Sequence, residues 1–278
     1  MSFGVLKNKI LARLESLGVE ARRSLGQNFL INENVVEKVK LKVQSINAKK
    51  VIEIGPGPGS LTDAILDVNK NLTVVELDRD WAKYWRDKNI TVIEADALKL
   101  DWTELLASAK ESVCVAGNLP YQISSRLMIE LCFVSDLATD MVFMFQKEVA
   151  DRISAKPNSK EYGLLTVMVQ SFYSVQSIVR LSPGDFYPAP KVQSKVLAFK
   201  SIKNDVLTTP DAKKKFLVFL KELFKMRRKT VLNNLKGLSP QPRELLQKLG
   251  ISEKLRPEQL DIATITQMFV EREKQNGN

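Results

Sequence analysis

The chain has 278 residues, with 42 Lys+Arg against 32 Asp+Glu for a formal net charge of +10; 44% of residues are hydrophobic and 27% charged. These are globular values, and they exclude a disordered or fibrous chain, while no apolar run approaches the roughly 18 residues that span a bilayer. The histidine count is zero, which excludes a Ser-His-Asp triad, a histidine general base and histidine-ligated metal; two cysteines, Cys114 and Cys132, cannot form a four-cysteine zinc site. Both cysteines lie in apolar stretches and read as buried free thiols in a reducing cytosol. No metal is expected.

In chain order, Leu6, Ile10, Leu14 and Leu17 recur at helical spacing, with Lys7, Lys9, Arg13 and Glu15 between them. A secretory segment would be continuous and uncharged, and a transit peptide would lack Glu15 and Glu20, so a cytoplasmic protein is expected. Short Val- and Ile-rich runs at Lys50–Ile54, Leu72–Glu76, Thr91–Glu94, Val113–Ala116 and Met141–Phe145 read as strands, with helical spacing between them. That alternation predicts an α/β fold with a parallel sheet covered on both faces. Phe172–Arg180 and Val192–Ser201 flank a Pro/Gly-rich turn and predict a closing pair at the sheet edge. Beyond about Ser201 only helical spacing remains. Residues 201–278 carry 16 Lys+Arg against 9 Asp+Glu, a net +7, whereas residues 1–200 carry a net +3. The expected division is therefore 1–200 and a small helical domain, 201–278. A basic excess confined to one domain points to a polyanion partner, although a solvated surface explains a lone charge run equally well.

Val51-Ile-Glu-Ile-Gly55-Pro-Gly57-Pro-Gly59 follows a predicted strand and opens a helix. Glycines there permit a sharp turn and close approach of a ligand. The dinucleotide fingerprint wants its third glycine at position 60, which is Ser60; the third glycine here is Gly59. The pattern E-x-G-x-G-x-G looks instead like an S-adenosylmethionine (SAM) loop. Glu76 ends the second predicted strand, where a ribose-binding acid belongs, and Asp96 ends the third, facing the crevice in which open α/β sheets bind ligands. Each acid alone could equally be a turn or cap residue; the glycine loop at matching intervals favours a cofactor site, and carboxylates suit a sulfonium cation.

Asn118-Leu119-Pro120-Tyr121 ends the fourth predicted strand. It fits the [DNS]-x/P-P-[YFW] pattern of amino-group methyltransferases. The lone pair of an adenine N6 is delocalised into the ring, so the nitrogen is a poor nucleophile. Two acceptors, the Asn118 side-chain oxygen and the Leu119 carbonyl, can bind its hydrogens and draw it toward tetrahedral geometry. Pro120 stiffens the turn and lacks a competing N–H, and Tyr121 can stack on the base, worth roughly 1–3 kcal/mol. An isolated strand end with a half-buried Tyr would look the same; its position after a SAM-like loop favours catalysis.

With both motifs present, the chain closely resembles the KsgA-type small-subunit rRNA adenine dimethyltransferases. The similarity runs from Ser24-Leu-Gly-Gln-Asn-Phe-Leu30 through Gln146–Arg152, Pro157-Asn-Ser-Lys-Glu-Tyr-Gly163 and Phe186-Tyr-Pro-Ala-Pro-Lys-Val-Gln-Ser194 to a basic helix at Arg227-Arg228-Lys229-Thr230. The resemblance implies a Rossmann-like class I SAM-dependent methyltransferase sheet with a small all-helical C-terminal domain that grips the small ribosomal subunit. It implies two methyls on N6 of each of two adjacent adenosines near the 3′ end of 16S rRNA. By the same resemblance, Asn28 and Leu30 close over the cofactor, Gly55 and Gly57 approach it, Glu76 takes the ribose hydroxyls, and Asp96 with Ala97 takes the adenine. Asn118 and Leu119 position N6, and Tyr121 and Phe186 clamp a base extruded into the pocket. Read without the family, Phe186 is a core plug, and Gln27 and Asn28 cap a nearby helix.

Three rivals remain. An Erm-type large-subunit (23S) rRNA methyltransferase shares fold, loop and catalytic motif, but the P-N-S-K-E-Y-G and R-R-K-T segments favour the small subunit. A DNA adenine methyltransferase would need a target-recognition region that is not evident. A non-catalytic RNA-binding assembly factor would not need Glu76, Asp96 and Asn118–Tyr121 intact. A monomer is expected.

Overall fold

The computed structural model describes residues 4–22 and 25–276; Ser24, the first residue of the N-terminal motif, lies outside them. The elements in chain order are α1 (Val5–Leu17), β1 (Phe29–Leu30), α2 (Glu33–Ile46), β2 (Lys50–Ile54), α3 (Thr62–Val68), β3 (Leu72–Glu76), α4 (Arg79–Asp87), β4 (Thr91–Glu94), α5 (Trp102–Ser108), β5 (Val113–Asn118), α6 (Ser124–Phe133), β6 (Asp140–Gln146), α7 (Lys147–Ile153), α8 (Leu164–Gln170), β7 (Tyr173–Leu181), β8 (Phe186–Tyr187), β9 (Ser194–Ser201), α9 (Pro210–Leu223), α10 (Val231–Leu235), α11 (Pro242–Lys248) and α12 (Ile262–Asn276). They form two compact units, one of residues up to Ala150 with Ser174–Ser201, the other of Asp151–Tyr173 with the chain from Ile202 onward.

The first unit is built on a seven-stranded sheet of order β4-β3-β2-β5-β6-β9-β7. The pairs β3–β4, β2–β3, β2–β5 and β5–β6 are parallel and β6–β9 is antiparallel. This is the Rossmann-like, mostly parallel sheet expected. The central strands are buried along their length because helices cover both faces. On β6, Val142 and Met144 join the core beneath α2 and α3, while Phe143 and Phe145 pack edge-on to each other and against Phe199. Strand order reverses between β2 and β5, the place where such sheets bind ligands at their carboxyl ends. The two strands run close there: a Cβ on Gly117 would lie 2.5 Å from the Ile54 carbonyl oxygen.

Asn32 caps α2, its side-chain oxygen accepting from the Asn34 and Val35 N–H groups. Strands β1 and β8 form a separate two-residue antiparallel ladder, Phe29 opposite Tyr187 and Leu30 opposite Phe186. Two residues carry no periodicity, so the sequence does not signal them.

The second unit contains the basic tail, but residues 151–173 cluster with it as well, whereas the composition shift suggests a boundary near residue 200. The reason is local bonding. Ile202 N–H donates to the Phe172 carbonyl at 2.8 Å, the Asn204 amide donates to the Ser171 carbonyl at 3.0 Å, and the Lys213 ammonium lies 5.1 Å from the Phe172 ring. Phe216, Phe219 and Phe269 form its aromatic centre. The segment Arg227–Lys229, expected as a basic helix, is instead a turn between α9 and α10. The Asn234 amide holds it, accepting from the Met226 N–H and donating to the Met226 carbonyl.

Candidate active site

The carboxyl ends of β2, β3, β4 and β5 open onto a cleft of about 210 Å³. Gly55, Gly57, Glu76, Asp96, Ala97, Asn118, Pro120 and Asn28 all line it. So do Val75, Leu77 and Ala95, which supply apolar wall. Sequence reading missed these three; the one usable sequence signal is the position of Leu77 directly after Glu76, and the structure leaves it 53% exposed.

The glycine loop is shaped for a ligand on one side and for protein on the other. Gly55 has φ +68°, and a Cβ there would meet nothing within 4 Å, so its face is open to the cleft. A Cβ on Gly57 (φ +49°) would come 3.1 Å from the Phe29 ring. Glu76 fixes the far side: its carboxylate accepts from the Gly57 N–H at 3.1 Å and the Asp78 N–H at 2.8 Å. A carboxylate has about four lone-pair sites, so two backbone bonds leave capacity for hydroxyl donors. Asp96 accepts the Leu98 N–H on Oδ1 at 3.0 Å, which leaves Oδ2 for an amino group. This donor and acceptor set fits a nucleoside with a free diol and an exocyclic amine.

Two carboxyls here are strongly perturbed. Glu53, on β2 behind the loop, is 1% exposed, and burial pushes its carboxyl up to about 8, with Asp63 and Glu76 adding repulsion and the Thr62 hydroxyl opposing. Burial pushes Glu76 up to about 7 against the backbone N–H groups that favour its charged form. A cationic ligand in the cleft would reverse part of both shifts.

The catalytic turn leaves β5. The Asn118 side-chain amide donates to the Asn28 carbonyl at 2.8 Å; this fixes the amide's orientation and leaves its oxygen as an acceptor. The segment carrying Asn28 is itself anchored. Gln27 donates to Asp78 at 2.9 Å, Arg22 donates to the same carboxylate at 3.0 Å, and Gly26 packs on Pro120. The Tyr121 hydroxyl lies 3.0 Å from the Ser194 hydroxyl, and its ring is half-buried.

The remaining expected site residues lie elsewhere. Leu30 is fully buried and Phe186, opposite it on β8, is 3% exposed; both belong to the main core and neither lines the cleft. Leu119 is also buried, so only its backbone is available. Arg227, Arg228 and Lys229 are exposed in the second unit. Arg227 is already engaged, its guanidinium donating to the Lys160 and Tyr162 carbonyls.

Residues 18–274 match the family model described as ribosomal RNA adenine dimethylase. The chain belongs to that family. A relative from Bdellovibrio bacteriovorus named ribosomal RNA small subunit methyltransferase A is 42% identical over 253 residues, covering 88% of this chain and 90% of the relative. The crystal structure of a dimethyladenosine transferase from Plasmodium falciparum superposes with TM-score 0.72 at 26% identity, covering 89% of this chain and 98% of that one. That of the 23S rRNA methyltransferase ErmE gives TM-score 0.64 at 21% identity, covering 88% and 100%, which shows the fold alone. As a ribosomal RNA adenine dimethylase, the chain is an enzyme whose cofactor is SAM. Among the described residues no helix is long and apolar enough to cross a membrane.

Proposed function

We propose that this dimethylase methylates N6 of two adjacent adenosines near the 3′ end of 16S rRNA, twice each, on the small ribosomal subunit in the cytoplasm. The observation that carries the catalytic part is the oriented Asn118 amide. One of its N–H groups donates to the Asn28 carbonyl, which leaves Oδ1 as an acceptor for incoming donors. The choice of subunit is supported by the name and 42% identity of the Bdellovibrio relative, whereas the ErmE likeness extends to fold only.

SAM supplies an electrophilic methyl group when bound. Glu76 would hold the ribose hydroxyls, Asp96 the adenine amine, and the Gly55 backbone would approach the methionine portion. Asn118 Oδ1 and the Leu119 carbonyl accept the two N6 hydrogens, localising the nitrogen lone pair and aiming it along the transfer direction. Tyr121, steadied by Ser194, offers the stacking face for the flipped base. The N6 proton leaves to water after transfer, which accommodates a chain without histidine. Phe186 would reach the base only by leaving the core. Arg228 and Lys229 would contact phosphate on the subunit, and the enzyme would act as a monomer. The test offers radiolabelled SAM with undermethylated small and large subunits in parallel and maps the label. Dimethyladenosine at neighbouring positions near the 3′ end of 16S rRNA is expected; label confined to the large subunit overturns the assignment.

A further inference from the structure

The family match begins at residue 18, so α1 (Val5–Leu17) lies ahead of it, and nothing in the reaction above uses that helix. Yet α1 reaches the cofactor loop through one side chain. The Arg13 guanidinium donates from Nη1 to the Pro58 carbonyl at 2.6 Å and to Asp63 Oδ2 at 2.8 Å, and from Nη2 to Asp63 Oδ1 at 3.2 Å. Its Cζ sits 5.6 Å from the ring centres of both Tyr84 and Trp85. Trp85 in turn donates its indole N–H to the Gly57 carbonyl at 2.9 Å. Two consecutive carbonyls of the loop, at 57 and 58, and the first turn of α3 are thereby tied to α1 and α4. Lys9 adds a second cation to Asp63 at 2.9 Å.

Two things keep the third glycine a glycine: its φ of +93°, which L side chains rarely adopt, and the closeness of this same pair. A Cβ on Gly59 would fall 2.5 Å from Arg13 Nη1 and 2.6 Å from the Trp85 ring. The loop has given up its side chain at position 59 to let this cation and this indole close on it from outside, while Gly55 faces the open cleft.

We propose that Arg13 is a positioning residue for the cofactor: from outside the glycine loop, with Trp85, it holds the loop in the shape that SAM binds. A bidentate, planar guanidinium stacked on aromatic rings is a rigid tie that a lysine reproduces only in part. Its effect falls on the cofactor side, because Arg13 touches nothing at the catalytic turn.

This rests on the cleft being the SAM site, and the experiment separates the two ideas. Calorimetric binding of S-adenosylhomocysteine and steady-state kinetics are measured on the full chain for wild type, Arg13→Ala, Arg13→Lys and Trp85→Phe. Loss of one charge-assisted tie is expected to weaken binding by roughly tenfold in Arg13→Ala, with KM for SAM rising in step and KM for the ribosomal subunit unchanged. Arg13→Lys should recover part of the loss, and Trp85→Phe, which keeps the ring but deletes the donor to Gly57, should weaken binding by a smaller factor. Should Arg13→Ala fail to fold, Arg13→Lys and Trp85→Phe decide the matter by the same split between the two KM values. Wild-type affinity in the variants, or an equal rise in both KM values, overturns the proposal. A wild-type protein that binds no S-adenosylhomocysteine overturns the cofactor assignment instead.

Discussion

The two halves of the cleft differ in what their ties leave open. The glycine loop is tied at several points while Gly55 stays open to the cleft: Glu76 and Trp85 bond its residue 57, Arg13 bonds its residue 58, and the Phe29 ring lies close to Gly57. Among the described residues the catalytic turn has three side-chain ties, Asn118 to the Asn28 carbonyl, Tyr121 to Ser194 and the Ser124 hydroxyl to the Tyr121 carbonyl, and they leave the Asn118 side-chain oxygen and the Leu119 carbonyl as acceptors. The difference teaches a division of labour. The cofactor half is preorganised, so ligand binding costs little ordering. In the function proposed above, the target half keeps acceptors for the adenosine amine, and transition-state discrimination would lie there.

The largest expected effect tests which half owns Phe186. As a buried core residue, Phe186→Ala should destabilise the protein by roughly 3–5 kcal/mol, read by denaturant unfolding. Phe186→Leu should then retain most turnover, whereas a stacking role would cost the leucine variant its activity despite a native melting curve. Next, Asn118→Ala should lower kcat by roughly 10²–10³, the size of loss from removing one preorganised polar group at a reacting centre, while leaving S-adenosylhomocysteine affinity near wild type. A parallel loss of binding would mean the two halves are not separable.

The cofactor half also predicts a pH dependence. Glu76 is pushed up to about 7, so below that pH it gains a proton and loses acceptor capacity for the ribose diol. Cofactor affinity should fall by roughly tenfold between pH 8 and pH 6, following one proton, and Glu76→Gln should bind weakly with no such slope. For stability the sign is opposite. Glu53 and Glu76 both hold protons more tightly when folded than their ordinary value of 4.5. The contribution of these two groups to stability is therefore full below that value and is lost as pH rises through about 7 to 8. The smallest effect concerns the second unit. Reversing Arg228 and Lys229 should weaken subunit binding and shallow its salt dependence by roughly one to two logarithmic units per decade of salt. Arg227 is the wrong residue to reverse, because its bonds to Lys160 and Tyr162 would be lost with its charge.

Much of this was legible in the sequence because it rests on local patterns. The five parallel strands announce themselves as short β-branched runs, and Gly55, Glu76, Asp96 and Asn118 fall at strand ends where topology brings them together. Other features depend on contacts between residues far apart in the chain. Arg13 meets Pro58 across 45 residues, and nothing near either residue signals the meeting. The spacing of Gly59 was readable, but its reasons, a φ of +93° and the closeness of Arg13 and Trp85, were not. Phe186 reads alike as a plug or a clamp in the sequence; its pairing with Leu30 and its burial place it in the core, and the leucine variant decides whether it also serves the base. Arg227–Lys229 follows a strong helix, and the bonds of the Asn234 amide to Met226, invisible as a pattern although the two are near in the chain, show why the chain turns there.

The most direct test of a preorganised cofactor half is calorimetric titration of the wild-type chain with S-adenosylhomocysteine in the absence of any RNA. One-to-one binding, with an affinity that the small subunit does not improve, is the predicted result. Binding that appears only once the subunit is present would contradict the account, because the loop would then be shaped by substrate and not by Glu76, Trp85 and Arg13.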